Sequence, residues 1–404
     1  MRGPFADRYR LPKWVNAGID FIADNPMSPL GRLAAMRMGR PAAGTFPTSQ
    51  FPDARVRLLI APVNYSGQGR EWARAVEQRD PTIAARNMAI EVAGGFSFQS
   101  DLLVPVAVYN NDRGWQRRQF ESVASHATHL LVEAEEPPFG RLMHRDTVSQ
   151  AMALRARGVS TAFMAHGTDI RLPSRHRELT KWSLYHDRTV YSPRLETLAR
   201  RNLEIIRRVG GPVFVSTPDL LADVDEGAQW CPVVVDLTRW RSPDEAPEHS
   251  DALRVVHAPS VANHKGTPLI ASTLERLHAE GIIQYQVVAG IPSAQMPPVY
   301  HQADVLLDQF RAGSYGVAAC EAMAAGCAVV GHVVEGVREV VQEIADQSLP
   351  IVEATPDTIE RVIRDLAGDR GRLARVKRDS LTFAGKVHDG RLSATVLIEN
   401  WLAG

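Results

Sequence analysis

The sequence predicts an α/β protein of two domains, each built on a mostly parallel β-sheet. The first observation is length, since 404 residues exceed the usual size of one domain roughly two- to three-fold. The second is that short β-branched or aliphatic runs alternate with longer stretches of helical periodicity, which is typical of βα units. The third is a segment rich in proline and charge, Leu237–Leu253, which separates two such series and is interpreted as an interdomain connection.

The N-terminal domain is expected over residues 1–240, with a helical extension at 1–54. Its first strand is Val56–Val63 (VRLLIAPV), followed by the loop NYSGQG and then by a helix whose apolar residues Trp72, Ala75 and Val76 share one face. Further strands are predicted at Leu102–Val108, His129–Glu133, Ser160–Ala165 and Pro212–Ser216.

The C-terminal domain is expected over residues 253–383. Its strand candidates are LRVVHAPS, IIQYQVVAG, ADVLLDQ, CAVVGHVV and LPIVEAT. In the last segment, 384–404, apolar residues recur at helical spacing up to Trp401. That pattern predicts a C-terminal helix that crosses back to the N-terminal domain.

Composition excludes several classes of protein. Hydrophobic residues make up 45% and charged residues 23%, and 46 basic side chains balance 46 acidic ones, so neither a disordered chain nor a nucleic-acid binder is expected. Cys231, Cys320 and Cys327 lack zinc-ligand spacing, so no metal site is predicted and a reducing cytosol is indicated. Because no apolar run reaches about 18 residues and no signal sequence is recognisable, we expect a cytoplasmic protein.

Charge is unevenly distributed along the chain. The stretch Arg171–Arg208 holds ten basic residues against four acidic ones, and the first 40 residues are also rich in arginine. One interpretation is solvated helix faces; the other is a surface that meets anionic phosphates or an anionic membrane. Ser28-Pro29 is expected to begin a short helix with Leu30 and Leu33 on one side, which fits a peripheral contact with the inner face of a membrane.

Two segments of the C-terminal domain indicate phosphate and ribose chemistry. In Ala303–Val334 a strand ends near Asp308, and a helix opened by small residues begins at about Gly316, where free backbone N–H groups favour an anion. Glu321 follows on the next turn and could accept hydrogen bonds from vicinal ribose hydroxyls. In the second segment, a strand leads into His264-Lys265-Gly266-Thr267 at a helix start, where a lysine suits a diphosphate.

Together these segments resemble the retaining nucleotide-sugar glycosyltransferases of the GT-B architecture, of the family-four type. The matching motifs are Lys265-Gly266, the strand Tyr300–Val305, and the stretch from Tyr315-Gly316 through Glu321-Ala322-Met323-Ala324 to Val330. The resemblance implies two Rossmann-like domains facing each other across a cleft. It also implies transfer of a sugar from a nucleotide diphosphate, most readily UDP or GDP, to a glycan, lipid-linked or small-molecule acceptor, with retention and without a metal or other cofactor.

Carried over by position, the resemblance implies three catalytic residues, namely His166, Lys265 and Glu321. Lys265 would neutralise the leaving diphosphate, Glu321 would hold the ribose, and His166 would lie at the sugar. The donor-binding set that the resemblance implies is Gly67, Gln68, Gly69, Lys265, Gly290, Tyr315, Gly316, Val317 and Glu321.

Two positions depart from the family pattern. Ser260 stands where the family has an arginine, and Gly313 stands where it has a glutamate that contacts the donor sugar. We hypothesise that Arg311, in the same loop, replaces the missing positive charge.

The segment MAHGTDIRLP is interpreted separately. A strand ending at Ala165 delivers His166 to the ligand-binding edge of the sheet, with Asp169 and Arg171 close behind, near the acceptor. The alternative is a structural histidine with Asp169 as a helix cap. Glu133, Glu135 and Glu136 end a strand at the same edge and are read either as cleft residues or as a solvated acidic turn.

Other functions stay open at this stage. A nicotinamide enzyme would need G-x-G-x-x-G after its first strand, but Trp72 occupies the third glycine position. A nucleotide-sugar epimerase or hydrolase of the same fold, and a non-catalytic sugar-nucleotide or glycan-binding module, are retained as alternatives.

Overall fold

Two parallel β-sheets form the framework of the protein. The computed structural model describes residues 8–36, 39, 41, 44–91, 98–241 and 252–403. Most of the predicted interdomain connection, residues 242–251, and parts of the N-terminal extension therefore lie outside the described residues.

The N-terminal sheet has seven strands in the order β3-β2-β1-β4-β5-β6-β7, all paired in parallel. The strands are β1 Val56–Ala61, β2 Ile83–Glu91, β3 Leu102–Pro105, β4 His129–Glu133, β5 Ser160–Ala165, β6 Val213–Val215 and β7 Gln229–Trp230. All five predicted strands exist, but the prediction of strand as far as Val108 was wrong, because a helix begins at Val106. Two strands were not predicted: β2, whose apolar run is broken by Arg86 and Asn87, and the two-residue edge strand β7.

Helices cover this sheet and form the N-terminal extension. They are α1 Lys13–Asp24, α2 Pro29–Met36, α3 Gln68–Arg79, α4 Val106–Asn111, α5 Arg113–His126, α6 Thr147–Arg155, α7 Pro173–Leu179, α8 Ser192–Val209 and α9 Leu237–Trp240. As expected, α2 begins at Ser28-Pro29, where the Ser28 hydroxyl accepts a hydrogen bond from the Gly31 N–H at 3.1 Å. No helix within the described part of the chain is long and apolar enough to cross a membrane.

The C-terminal sheet has five parallel strands in the order β12-β11-β10-β8-β9. The five strand predictions are confirmed, as β8 Leu253–His257, β9 Ile283–Val287, β10 Val305–Leu307, β11 Ala328–Gly331 and β12 Val352–Glu353. The helices are α10 Ala262–Lys265, α11 Thr267–Ala279, α12 Met296–His301, α13 Val317–Ala324, α14 Glu335–Ala345, α15 Ile359–Gly368 and α16 Arg370–Val387.

The chain ends on the N-terminal domain. After α16, α17 Arg391–Leu397 and a π-helical turn, Ile398–Leu402, pack against α3. Leu397 and Leu402 are fully buried in the core beneath β1, and burial of each such side chain contributes about 1.5–3 kcal/mol. The Trp401 Nε1–H also donates to the Ser160 hydroxyl at 2.8 Å. The C-terminal crossing predicted from the apolar spacing is therefore confirmed.

Polar contacts join the two domains on one side of the cleft. His176 Nε2 lies 2.9 Å from the Ala312 carbonyl oxygen, and the Arg311 guanidinium pairs with Asp187 at 3.1 Å. On the other side, the Trp240 ring at the end of α9 stacks on Tyr300 of α12, with ring centroids 5.5 Å apart. The relative position of the domains is thus held by specific side chains on both flanks.

Candidate active site

A cleft of about 970 Å³ lies between the two domains. The carboxyl ends of β1, β4 and β5 and the side of α8 line its N-terminal wall, and the ends of β8 and β9 with the start of α13 line its C-terminal wall. Open α/β sheets bind ligands at this edge because loops and helix N-termini converge there. Predicted residues from both domains meet in the cleft, namely His166, Lys265, Gly290, Val317 and Glu321.

Glu321 lies on the second turn of α13, and no hydrogen bond joins its carboxylate to any other described residue. Burial raises the pKa of this carboxyl from 4.5 to about 8, although the Arg239 charge acts in the opposite direction. At the start of the same helix, the ideal Cβ position of Gly316 has no atom within 4 Å. The small residues that open α13 therefore leave room for a ligand beside its N-terminal N–H groups and beside Glu321.

Lys265 ends the short helix α10 and faces the cleft. Its Nζ lies 2.6 Å from Oδ1 of Asp308, a buried residue that follows β10. The ammonium group has three N–H donors, so the ion pair occupies one and leaves two for an anion. Asp308 thus fixes the position of the lysine and also offsets part of its charge.

The ends of β8 and β9 supply backbone to the C-terminal wall. Ser260, at the position of the family's arginine, lines the cleft, and so do Val288, Gly290 and Ile291. Gly290 has a φ of 72°, a left-handed conformation that glycine adopts without steric cost. A flat ligand group placed here would meet main-chain atoms, which fits the expected recognition of a base by backbone groups.

Tyr315 was predicted as a donor-binding residue, but its side chain lies away from the cleft. The ring is 3% exposed, and its hydroxyl lies 3.4 Å from Nε2 of His388 at the end of α16. Apolar packing between α13 and the C-terminal helices decides this orientation. The prediction is therefore corrected: the Tyr315 ring supports the loop and does not face a ligand.

The loop that departs from the family pattern is docked onto the N-terminal domain. Gly313 has a φ of 65°, and a Cβ there would lie 2.8 Å from Cγ1 of Val334, so this backbone does not accommodate the family's glutamate. Arg311 is 8% exposed, pairs with Asp187 and is absent from the cleft lining. The hypothesis that Arg311 supplies charge to the donor site is not supported by this placement.

His166 occupies the N-terminal wall, immediately after β5. Its ring lies between Tyr65 and Trp72, with centroid distances of 5.2 and 5.7 Å. Its Nε2 lies 3.3 Å from Oε1 of Glu133, a fully buried carboxylate that also accepts the backbone N–H of Asn64 at 3.0 Å. Sequence analysis placed both residues at this edge but gave no sign that they form a pair.

Asp169 folds back onto the end of β5. Its carboxylate accepts the backbone N–H of His166 at 2.8 Å and also that of Gly167, so it has a structural role although it lines the cleft. It does not cap a helix, because the next helix, α7, begins at Pro173. Arg171 was expected near the acceptor, but it is 8% exposed and bonded to the buried carboxylate of Asp219. That expectation was wrong, because the ion pair turns the guanidinium into the domain.

The three acidic residues at the end of β4 have different environments. Glu133 lies with its Oε1 atom 3.3 Å from Nε2 of His166. Glu136 lines the cleft, and its carboxylate pairs with Arg145 at 3.0 Å. Glu135 is 2% exposed, neither of its carboxylate oxygens has a hydrogen-bond partner, and burial raises its pKa well above 4.5. The interpretation of a solvated acidic turn is therefore wrong for Glu133 and Glu135.

The NYSGQG loop, Asn64–Gly69, combines internal contacts with the lining of both pockets. The Gln68 side chain is buried and exchanges two hydrogen bonds with the backbone of Val234, at 3.0 and 2.7 Å. A Cβ on Gly69 would lie 3.1 and 3.2 Å from the two Glu133 oxygens, so any other residue there would require the carboxylate to shift by a few tenths of an ångström. Of the three predicted residues, Gly67 and Gln68 line a smaller pocket of about 300 Å³ that also contains Glu321, and Gly69 is absent from that lining.

Some cleft residues were missed by the sequence analysis. Arg201 on α8 lines the main cleft, and Arg239 lines the smaller pocket together with Glu71. Arg239 belongs to the segment interpreted as a linker, and its guanidinium donates to the Ser293 hydroxyl at 3.0 Å. The basic stretch was noted, but no local signal distinguishes Arg201 from its exposed neighbours. No group of three or more His, Cys, Asp or Glu side chains in the described ranges is arranged to hold a metal ion.

Comparison with known proteins agrees with this geometry. Residues 271–380 match the family model of glycosyl transferases group 1. The resemblance to glycosyltransferases is confirmed for this region, which runs from α11 to α16 and includes α13 with Glu321. A search of curated protein sequences gave no match.

Solved structures share the fold over most of the chain. Sucrose-phosphate synthase from Thermosynechococcus elongatus aligns with a TM-score of 0.56 at 12% identity, covering 84% of this chain and 96% of that one. HepE from Anabaena, solved with UDP-glucose, aligns at 0.53 with 12% identity, covering 87% and 100%. A glycosyltransferase from Rickettsia africae aligns at 0.51 with 11% identity, again covering 87% and 100%. The fold is therefore the GT-B architecture of two Rossmann-like domains.

Proposed function

We propose that the protein transfers a sugar from a nucleotide-diphosphate sugar to an acceptor hydroxyl with retention of anomeric configuration. The observation that carries the proposal is the convergence of Lys265, Glu321 and the N-terminus of α13 on one wall of a cleft, opposite His166. A cation and a helix N-terminus suit a diphosphate, and a carboxylate with no protein hydrogen bond suits ribose hydroxyls.

The donor nucleotide occupies the C-terminal wall in this proposal. Lys265 and the Gly316–Val317 amides receive the diphosphate, Glu321 accepts hydrogen bonds from the ribose, and Gly290 meets the base. Hydrogen bonds donated by the ribose hydroxyls would favour the ionised form of Glu321, and the Arg239 charge acts in the same direction. The UDP-glucose complex of HepE supports a UDP-sugar as the first donor to test.

Catalysis in this proposal rests on electrostatic support of the leaving group. Charge that develops on the departing diphosphate is stabilised by Lys265 and by N–H groups fixed before the reaction, which needs little reorganisation. The acceptor attacks from the face that the nucleotide leaves, and a departing phosphate oxygen takes the acceptor proton. Lys265 and the helix N-terminus supply the positive charge for a metal-independent reaction.

Two other functions use the same cleft and are separated by a simple assay. An epimerase or hydrolase would act on the nucleotide sugar without an acceptor, and a binding module would release no nucleotide at all. We expect free nucleotide to form in proportion to added acceptor. Release that does not depend on acceptor would support the hydrolase, and binding without any turnover under a broad acceptor panel would support the module.

The donor-site assignment is tested by thermal shift with UDP, GDP, ADP and their sugar conjugates. A ligand that binds only the folded protein increases the free energy of unfolding by mass action, by about 2.7 kcal/mol when its concentration is 100 times the dissociation constant. The unfolding midpoint temperature therefore rises. We expect one nucleotide to stabilise the wild type and Lys265→Ala and Glu321→Ala to lose that shift. The matched controls are Lys386→Ala and Glu335→Ala, which change exposed residues outside the cleft. A shift that survives in both site variants would overturn the assignment.

The N-terminal extension suggests where the acceptor is presented. Trp14 and Phe21 share one face of α1 and are 78% and 55% exposed, while Leu30 and Leu33 share one face of α2 and are 55% and 56% exposed. Both acidic residues of α1, Asp20 and Asp24, pair with arginines of the protein. Lys13 and Arg32 are exposed beside these apolar faces. We propose that this surface rests on an anionic membrane, as amphipathic helices with basic flanks do, and that the acceptor is lipid-linked.

Co-sedimentation with vesicles tests the membrane contact. We expect wild-type protein to bind phosphatidylcholine vesicles that contain phosphatidylglycerol and to bind pure phosphatidylcholine weakly. The triple variant Trp14→Ser, Phe21→Ser and Leu33→Ser should lose binding, whereas Leu179→Ser, an exposed leucine on α7, should not. Failure of the wild type to sediment with anionic vesicles, or self-association through this surface in analytical ultracentrifugation, would reject the proposal.

A further inference from the structure

The Glu133–His166 contact has features of a built arrangement. Glu133 is fully buried and its Oε2 accepts the backbone N–H groups of Asn64 and Val63, at 3.0 and 3.3 Å. Its other oxygen, Oε1, and His166 Nε2 are both buried, neither meets hydrogen-bond geometry with any described residue, and the two atoms lie 3.3 Å apart. Both atoms lie away from water, so each depends on the other for a polar partner.

The surroundings fix the histidine from two sides. Asp169 holds the backbone N–H of His166 at 2.8 Å, and the rings of Tyr65 and Trp72 flank the imidazole. Gly69 leaves the space that the Glu133 carboxylate needs. The imidazole therefore has little freedom to turn.

The chemistry of the pair selects one tautomer. An ionised carboxylate can only accept hydrogen bonds, so the hydrogen of a neutral His166 ring belongs on Nε2. The ring lines the cleft while Nε2 is buried, and Nδ1 has no hydrogen bond with any described residue. Nδ1 is then an acceptor turned toward the ligand.

We propose that Glu133 is a positioning residue that holds His166 as the Nε2–H tautomer, so that Nδ1 accepts a hydrogen bond from a hydroxyl of the donor sugar. The proposal rests on the proposed function for the identity of that hydroxyl, but the tautomer itself does not depend on it. It predicts that Glu133 affects recognition of the sugar and leaves recognition of the nucleotide unchanged.

The test combines an NMR readout with binding. In protein labelled with ¹⁵N-histidine, His166 is assigned by the signal that disappears in His166→Gln, and we expect the Nε2–H pattern in the wild type. Glu133→Gln keeps an oxygen for the backbone N–H groups but presents an NH₂ group to Nε2, so it should move the hydrogen to Nδ1. This variant should bind the nucleotide sugar about tenfold more weakly while binding the free nucleotide as the wild type does.

The matched control is Glu121→Gln, which changes an exposed glutamate of α5 outside the cleft and should behave as the wild type. An Nδ1–H pattern in the wild type would overturn the proposal without requiring any variant to fold. Equal losses of nucleotide and nucleotide-sugar affinity in Glu133→Gln would overturn it too. If no nucleotide sugar binds, the proposed function fails while the tautomer measurement still decides the role of Glu133.

Discussion

The two walls of the cleft are built in different ways. The C-terminal wall is built mainly from local structures: Glu321 and the free N–H groups belong to one strand-loop-helix segment, and Lys265 ends the short helix α10 that follows β8. The N-terminal wall is assembled from residues distant in sequence, since His166 after β5 contacts Glu133 at the end of β4, which packs against Gly69 in α3. A local structure leaves a motif in the sequence, whereas an assembled one leaves scattered single residues.

The loop after β10 that contacts the N-terminal domain is also assembled from residues distant in sequence. Arg311 and Ala312 contact Asp187 and His176, and Gly313 takes a left-handed conformation against Val334. Where the family pattern has a sugar-binding glutamate, this chain has an interdomain contact. Under the proposed function, recognition of the sugar would then depend more on the N-terminal wall than the motifs alone imply.

The largest effect is expected at the lysine of the C-terminal wall. Lys265→Ala should lower kcat/KM by roughly 100- to 1000-fold, because one preorganised charge is lost from the leaving diphosphate, a change of about 3–4 kcal/mol. Steady-state kinetics with the donor found by thermal shift would measure it. Lys386→Ala serves as the control, and a loss under tenfold in Lys265→Ala would contradict the assignment.

Glu321 should carry a pH-dependent stability cost in the empty protein. Its folded pKa of about 8 exceeds the usual 4.5, so the folded protein retains a proton that the unfolded chain loses between these values. The free energy of unfolding therefore falls as pH rises from about 4.5 to about 8, by up to about 1.4 kcal/mol per pH unit. Urea unfolding at several pH values should show a smaller slope in Glu321→Gln than in the wild type, and an unchanged slope in Glu335→Gln, because other buried carboxyls such as Glu135 contribute in the same direction. An unchanged slope in Glu321→Gln would mean that the carboxyl is not desolvated.

Gly313 offers a way to test the departure from the family. In Gly313→Ala, alanine must adopt the left-handed φ of 65°, and its Cβ would lie 2.8 Å from Cγ1 of Val334. In Gly281→Ala, alanine must adopt a similar φ of 75°, but no described atom lies within 4 Å of the added Cβ. We expect the first variant to lose about 2 kcal/mol of stability and the second about 1 kcal/mol. Gly313→Glu should likewise destabilise the protein and should not increase transfer. A more active Gly313→Glu variant would show that the loop can return to the family's arrangement.

The smallest effect is expected at Arg311. Because its guanidinium is committed to Asp187 and lies outside the cleft lining, Arg311→Ala should leave nucleotide affinity within about twofold of the wild type. Isothermal titration with the donor nucleotide would measure it, beside Arg361→Ala on the surface of α15 as control. A tenfold loss specific to Arg311→Ala would restore the hypothesis that this residue replaces the missing family charge.

Much of the C-terminal domain could be predicted from the sequence. The five strand segments, the helix start after Gly316 and the placement of Lys265 and Glu321 in one cleft follow from local patterns, because a parallel strand and its following helix carry their own periodicity and small residues. Tyr315 was misplaced although its position in the motif was right. Side-chain direction in that loop is decided by packing against His388, which is 73 residues away.

Local patterns in the sequence were enough to predict two parallel α/β domains, a C-terminal helix that crosses back, and the positions of Lys265 and Glu321 in the C-terminal domain. They did not show that Gly69 makes room for Glu133, that Glu133 contacts His166, or that Arg171 and Arg311 form buried ion pairs; these follow from the three-dimensional packing. Periodicity and turn residues act within a few positions along the chain, so they can be read in order. Which buried charge meets which partner depends on how strands and domains pack, and that is fixed only when distant segments come together.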